Sequence, residues 1–179
     1  MLMPVDAETI LPFPSEAVSS EPTVITVVCT ANICRSPMAA GLLRHALEGE
    51  DSPPPFLVES AGVASRDGDP ASENSVIAMK KVGIDISDHQ SRMLTPERLS
   101  RSDVIFCMTA DHKRLIETIF PQGCSHVRLF REFADSGTDQ VPDPYGGSID
   151  EYITCRDSLL DAIPGILRFL YQEIFPTRK

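Results

Sequence analysis

A cysteine and an arginine stand six positions apart in the segment VVCTANICRSP, residues 27–37. Cys29 ends an apolar run, and Arg35 is followed by Ser36 and Pro37, a pair typical of a helix start. A short loop that enters a helix turns backbone N–H groups toward one point, where the helix dipole adds positive potential. The Arg35 fork can bind two oxygens of a phosphate, and Cys29 beneath that anion would be a thiolate. This pattern suits nucleophilic phosphoryl transfer.

The elements that must position this segment alternate between strand and helix. Runs rich in β-branched residues predict strands at 23–29, 56–60, 102–108 and 126–130. Apolar spacing predicts helices at 37–47, 71–83, 110–120 and from about 148 onward. Pro164 should kink the last helix. The alternation predicts an α/β fold of three layers, with a four-stranded parallel sheet flanked by helices. Ligands bind such sheets at the carboxyl ends of strands, where residues 29–36 fall.

Composition and charge exclude several classes of function. The 179 residues suit one domain, and a net charge of −10 disfavours nucleic acid and anionic membrane as partners. Residues 1–22 contain acidic side chains but no Lys or Arg, which predicts a disordered acidic tail before a domain at 23–179. Five cysteines without a secretion signal favour reduced thiols in the cytoplasm.

Zinc is not expected at the phosphate-binding segment. Cys29 and Cys34 are spaced like a zinc knuckle, but a structural site needs a second close pair. The other cysteines, Cys107, Cys124 and Cys155, stand far apart. We therefore expect neither a metal nor a cofactor.

Residues 29–36, CTANICRS, resemble the phosphate loop of the low-molecular-weight protein tyrosine phosphatase family. The match extends from about Val24 to the last helix, through SAG at 60–62, VIFCMT at 104–109 and DPYGG at 143–147. The resemblance implies a phosphorylated protein as substrate, with Cys29 as nucleophile and Arg35 as phosphate ligand. Ala31 stands where the family usually has Gly, which is tolerable if its φ is negative.

The resemblance gives Asp143 the role of general acid. It would protonate the leaving oxygen and then, as carboxylate, activate the water that hydrolyses the cysteinyl phosphate. Pro144 fixes the backbone beside it. Asp135 and Asp139 are rivals in the same loop that lack the Pro-aromatic continuation.

The remaining roles also follow from the resemblance. Asn32 would take a left-handed conformation, Ser36 would donate its hydroxyl to the thiolate, and Ser60 and His89 would brace Asn32 from behind. The phosphate-binding loop comprises Thr30, Ala31, Asn32, Ile33, Cys34 and Arg35.

Cys34 has two interpretations, and the pair Asp111 and His112 has only a structural one. Cys34 is either a redox partner that forms a disulfide with the nucleophile or a small loop filler. Asp111 and His112 are interpreted as a solvated helix start.

Substrate choice within the family depends on the pocket walls. Ile33 and Tyr145 offer an apolar wall and a stacking face for an aromatic ring, so we predict phosphotyrosine as substrate. The family's protein arginine phosphatase branch is the alternative, because the Gly-Gly-Ser-Ile-Asp run after Tyr145 and the bare loop after Ser60 resemble it. That branch typically has Thr at the position of Ile33.

Two further functions fit the sequence less well. Arsenate reduction needs a spaced cysteine pair after the third strand, where only Cys107 lies. A catalytically dead phosphoprotein-binding module would usually lack Cys29, Arg35 or Asp143, and all three are present.

Overall fold

The computed structural model describes residues 21–122, 126–135 and 137–177. Its strands are β1 Thr23–Cys29, β2 Phe56–Gly62, β3 Val104–Cys107 and β4 Val127–Leu129. Its α-helices are α1 Arg35–Glu48, α2 Glu73–Lys80, α3 Pro96–Arg101, α4 Ala110–Ile119 and α5 Ile149–Phe169. Shorter helical turns cover Phe130–Phe133, Leu170–Ile174 and Phe175–Thr177. No helix in these ranges is long and apolar enough to span a membrane.

The four strands form one parallel sheet in the order β2-β1-β3-β4. This confirms the predicted α/β fold. The inner strand β1 pairs with β2 and β3, so that Cys29 lies beside Gly62 and Val28 beside Cys107. Cys29 therefore ends a central strand, at the edge of the sheet where the loops enter the helices.

Apolar side chains cover both faces of the sheet. Successive side chains of a strand point to opposite faces, so neighbouring residues belong to different clusters. Val27 belongs to an apolar cluster with the buried faces of α1 and α5. Its neighbour Val28 belongs to a second cluster, which contains Leu99 of α3 and Ile116 of α4. Both β1 residues are fully buried, so the strand that carries Cys29 is fixed from both sides.

The start of α1 differs from the prediction. The helix begins at Arg35 with Cys34 as its N-cap residue, rather than at Pro37 with Ser36 as the cap. The Ser36 hydroxyl makes no capping bond because it contacts the Cys29 thiol and the Asn32 amide instead. Pro37 still fits in the first turn, where its missing N–H removes no helical hydrogen bond.

Other boundaries shift by a few residues. Helix α3 was not predicted because Pro96–Arg101 is too short to show an apolar period. Strand β4 ends at Leu129, and Phe130 begins a 3₁₀ turn. Pro164 lies inside α5, which continues to Phe169. The first 20 residues of the predicted acidic tail lie outside the described residues.

Candidate active site

The loop between Cys29 and Arg35 folds into a tight turn at the carboxyl end of β1. Asn32 takes a left-handed conformation with φ 57°, as predicted, and its side chain is fully buried. Ala31 is not among the residues with positive φ, so Ala in place of Gly introduces no backbone strain there. The turn brings the end of a buried strand directly to the start of α1.

Hydrogen bonds from four directions hold Asn32. Its Nδ2 donates to Ser36 Oγ at 2.8 Å and to Ser60 Oγ at 2.9 Å. His89 Nε2 donates to its carbonyl oxygen at 2.7 Å, and the Arg92 backbone N–H donates to its Oδ1 at 2.8 Å. The contacts expected for Ser60 and His89 are therefore present. Arg92 was not predicted, because its contribution is a backbone group that almost any residue supplies.

The Cys29 thiol lies buried at the base of the loop, with Sγ 3.0 Å from Ser36 Oγ. Because Ser36 Oγ already accepts a hydrogen from Asn32, its own proton can be donated either to the sulfur or to the Ala61 carbonyl, which lies farther away at 3.5 Å. A hydroxyl that donates to sulfur stabilises a thiolate. The geometry thus supplies the contact that the resemblance implied for Ser36.

Gly62 lets the loop approach the end of β2. A Cβ at this position would lie 2.5 Å from the carbonyl oxygen of Thr30 and 3.0 Å from the backbone nitrogen of Asn32. Just after Gly62, the N–H groups of Val63 and Ala64 donate to the carbonyls of Cys29 and Thr30 at 3.0 and 2.9 Å. The loop is thus seated on a neighbouring backbone that only glycine permits.

The Arg35 side chain is buried, and its guanidinium contacts Thr30, Val141 and Asp143. Its Nη2 lies 2.7 Å from Asp143 Oδ2 and 3.5 Å from Thr30 Oγ1, and its Nη1 donates to the Val141 carbonyl at 3.3 Å. The candidate nucleophile, the arginine and the candidate acid therefore line one cavity. Asp143 lines the cavity above Cys29, whereas Asp135 and Asp139 do not.

The loop that carries Asp143 is anchored to the start of α5. The Tyr145 N–H donates to Asp143 Oδ1 at 3.2 Å, and the Gly147 N–H donates to the Pro144 carbonyl at 2.9 Å. Asn74 of α2 donates to the Gly147 carbonyl at 3.2 Å. A capping box between Ser148 and Glu151 then begins the helix.

The cavity above Cys29 has apolar walls. Ile33 packs partly against the core, and the Tyr145 side chain is 72% exposed at the rim. The lining residues are Cys29, Thr30, Ala31, Ile33, Cys34, Arg35, Asp143 and Tyr145. In the described ranges, no group of three or more His, Cys, Asp or Glu side chains is placed to hold a metal ion.

His112 corrects the interpretation of a solvated helix start. Asp111 is exposed, but His112 is only 6% exposed and its Nε2 lies 2.8 Å from Thr30 Oγ1. Burial, followed by the charge of Arg35, lowers its pKa to about 4, so the ring is neutral near pH 7. The sequence signal was weak because a histidine in the first turn of a helix is commonly solvated.

Cys34 is buried at the cavity lining, and its thiol contacts two hydroxyl groups. Its Sγ lies 3.3 Å from Tyr152 Oη and 3.4 Å from Ser72 Oγ. Burial and the contact with Cys34 raise the pKa of Tyr152 to about 12, so Tyr152 remains a phenol. Burial also raises the pKa of the Cys107 and Cys155 thiols to about 12, which leaves both unreactive.

Comparisons with known proteins agree with this geometry. Residues 24–174 match the family model described as low molecular weight phosphotyrosine protein phosphatase. A protein-arginine-phosphatase of Geobacillus stearothermophilus is 36% identical over 153 residues, 85% of this chain and 99% of that protein. A probable low molecular weight protein-tyrosine-phosphatase EpsP of Ralstonia solanacearum is 40% identical over 121 residues, 68% of this chain and 77% of that protein.

Solved structures give the same result. The YwlE arginine phosphatase from Geobacillus stearothermophilus superposes with a TM-score of 0.75 at 34% sequence identity, covering 85% of this chain and 95% of that one. Sequence, fold and site therefore agree: the chain belongs to the low molecular weight protein-tyrosine-phosphatase family and is a phosphatase.

Proposed function

We propose that this protein hydrolyses phosphotyrosine in proteins through a cysteinyl-phosphate intermediate. The substrate phosphate would lie in the loop above Cys29, where Arg35 and the backbone N–H groups of the loop bind its oxygens. Its aromatic ring would extend between Ile33 and Tyr145. The reacting groups are Cys29, Arg35 and Asp143, whose geometry around one cavity supports these roles.

The reaction would proceed in two displacements. The Cys29 thiolate attacks phosphorus and forms an S–P bond, while the P–O bond to tyrosine breaks and Asp143 protonates the departing oxygen. Asp143, now a carboxylate, removes a proton from water, which attacks phosphorus and breaks the S–P bond. Inorganic phosphate leaves, the thiolate is restored, and one water molecule has been consumed.

Cys29→Ser tests this mechanism directly. The hydroxyl does not replace the thiolate as nucleophile, so we expect no turnover of aryl phosphates, whereas a metal chelator should leave the parent enzyme active. Cys155→Ala is the matched control, since that buried thiol lies in the core and not in the cavity lining. Full activity of Cys29→Ser would refute the cysteinyl phosphate.

The observation that carries the choice of substrate is the pair of walls formed by Ile33 and Tyr145. Aromatic contacts of this kind contribute about 0.5–1.5 kcal/mol beyond burial. Ile33 lines the same cavity as Cys29, where a contact with the substrate can differ between ground and transition states and so alter kcat. An apolar wall there suits a phenyl ring better than a charged guanidinium.

Phosphoarginine is the second candidate. The relative in Geobacillus stearothermophilus and another in Bacillus subtilis, 34% identical over 83% of this chain, are both named protein-arginine-phosphatase. These matches span more of the chain than that of the tyrosine phosphatase EpsP. Against it stands Ile33, where the arginine branch typically has Thr.

The deciding experiment compares kcat/KM on phosphotyrosine and phosphoarginine peptides of otherwise identical sequence. We expect the parent protein to prefer phosphotyrosine, and Ile33→Thr to lower that activity and raise activity on phosphoarginine. Ile119→Thr, on an exposed position of α4, controls for the general effect of the substitution. A parent protein that already prefers phosphoarginine would refute the proposal and favour the second candidate.

A further inference from the structure

His112 connects the first turn of α4 to the phosphate-binding loop. Its Nε2 lies 2.8 Å from Thr30 Oγ1, and its Nδ1 lies 3.0 Å from Thr109 Oγ1. Thr109 is the N-cap residue of α4, and its hydroxyl oxygen also accepts the His112 backbone N–H at 3.3 Å. The ring is therefore held at both nitrogens by hydroxyl groups 79 positions apart in the chain.

Arg35 determines which atom is the donor in each of the hydrogen bonds that join it to Thr30, His112 and Thr109. Its guanidinium has only donors, so Thr30 Oγ1 accepts from Arg35 Nη2, at 3.5 Å. The Thr30 hydroxyl proton is then available to His112 Nε2. A neutral ring that accepts at Nε2 carries its proton on Nδ1, which donates to Thr109 Oγ1.

We propose that His112 is a positioning residue: it orients the Thr30 hydroxyl, and through it the Arg35 guanidinium, for binding of the substrate phosphate. The inference rests on the proposed function only in taking Arg35 as the phosphate ligand. It differs from the bracing by Ser60 and His89, which acts on Asn32 rather than on Thr30.

The charge of the ring supports this role. Three charged side chains act on it: Arg35, which lowers its pKa, and Asp143 and Asp111, which raise it by less than burial lowers it. A protonated ring would present a second donor to Thr30 Oγ1, in competition with Arg35, and a second positive charge beside the guanidinium. The neutral ring avoids both conflicts.

A matched pair of variants distinguishes the contribution of His112 Nε2 from that of Nδ1. The amide of His112→Gln reaches the Nε2 position and can still accept from Thr30, whereas that of His112→Asn reaches only the Nδ1 position. The readouts are the Kd of inorganic phosphate, from calorimetry, and kcat/KM on an aryl phosphate. We expect His112→Asn to weaken both by roughly tenfold, the effect of one lost hydrogen bond, and His112→Gln to restore most of the loss.

Thr30→Val tests the same connection from the loop and leaves α4 unchanged. It should weaken phosphate binding to a similar extent, and its combination with His112→Asn should lose no more than the larger single change. If His112→Asn does not fold, the two single variants Thr30→Val and His112→Gln decide the question, the first by weakened phosphate binding and the second by binding close to that of the parent. His45→Gln, on the exposed surface of α1, is the control for substituting a histidine.

An unchanged phosphate Kd in folded His112→Asn or in Thr30→Val would overturn the inference, as would losses that add in the double variant. These results are independent of the proposed substrate. If the protein prefers phosphoarginine but the phosphate Kd changes as expected, only the proposed substrate is refuted and the role of His112 stands.

Discussion

Arg35 Nη2 lies 2.7 Å from Asp143 Oδ2, although the two residues are 108 positions apart in the chain. The two side chains differ in burial: that of Arg35 is 6% exposed and that of Asp143 is 51% exposed. An incoming phosphate would therefore bind a buried guanidinium, while the more exposed carboxylate has room to turn toward the leaving group. In the proposed mechanism, this exchange of partners would couple substrate binding to placement of the acid.

Asp143→Asn should have opposite effects on catalysis and on phosphate binding. Loss of the proton donor should lower kcat by about 10²-fold or more for leaving groups of high pKa, and less for good leaving groups. Removal of the carboxylate that competes for Arg35 should lower the Kd of inorganic phosphate. Steady-state kinetics with a series of aryl phosphates and phosphate calorimetry measure the two effects.

Two results would contradict this account of Asp143. Equal loss of kcat across all leaving groups would argue against the acid role. Weaker phosphate binding by the variant would argue that the ion pair organises Arg35 rather than competing with the substrate. Asp139→Asn, in the same loop but outside the cavity lining, is the matched control.

Mild peroxide should inactivate the enzyme, and a thiol should restore it. A thiolate at Cys29 oxidises to a sulfenic acid, which a neighbouring thiol can trap as a disulfide, with loss of water, before further oxidation. Cys34 lines the same cavity. Cys34→Ser should therefore recover less activity than the parent after thiol treatment, as measured by aryl phosphate assays over time. Equal recovery would leave Cys34 as a packing residue.

Gly62→Ala should impair the phosphate-binding loop more than the fold. The added Cβ would meet the Thr30 carbonyl at 2.5 Å, so the loop must shift, at a cost of about 1–3 kcal/mol. We expect kcat/KM to fall by roughly tenfold or more, while the variant stays folded and its free energy of unfolding falls by no more than this strain energy. At Gly49 a Cβ would meet no atom closer than 3.5 Å, so Gly49→Ala is the control. Equal activity of the two variants would contradict the prediction.

His112 should make the protein less stable as the pH falls below neutrality. The pKa of His112 in the folded protein, about 4, lies below the ordinary value of 6.5. Between these pH values the unfolded chain binds more protons than the folded protein, so a falling pH stabilises the unfolded state relative to the folded one. Urea titrations from pH 7 to pH 4 should show a loss in unfolding free energy from this group on the order of 2–3 kcal/mol. His112→Gln should lack this contribution. The same pH dependence in both proteins would contradict the lowered pKa.

The sequence alone determined the features that are local or periodic. The spacing of Cys29 and Arg35 after an apolar run indicates a strand, a short loop and a helix, because a few consecutive residues fix that geometry. The alternation of strand and helix patterns was enough to predict a parallel α/β sheet, since each pattern follows from which side chains must be buried.

Tertiary structure decided which distant groups serve the loop. Ser36 is not the helix cap because its hydroxyl is used by Cys29 and Asn32, and a local pattern does not record that competition. His112 is buried because α4 lies against a loop 82 positions away, and its pattern in the sequence is that of an exposed first turn. Asp143 lines the cavity because the loop before α5 brings its carboxylate to the Arg35 guanidinium, 108 positions away in the chain. Contacts between residues so far apart in sequence depend on how the elements pack, which no short pattern encodes.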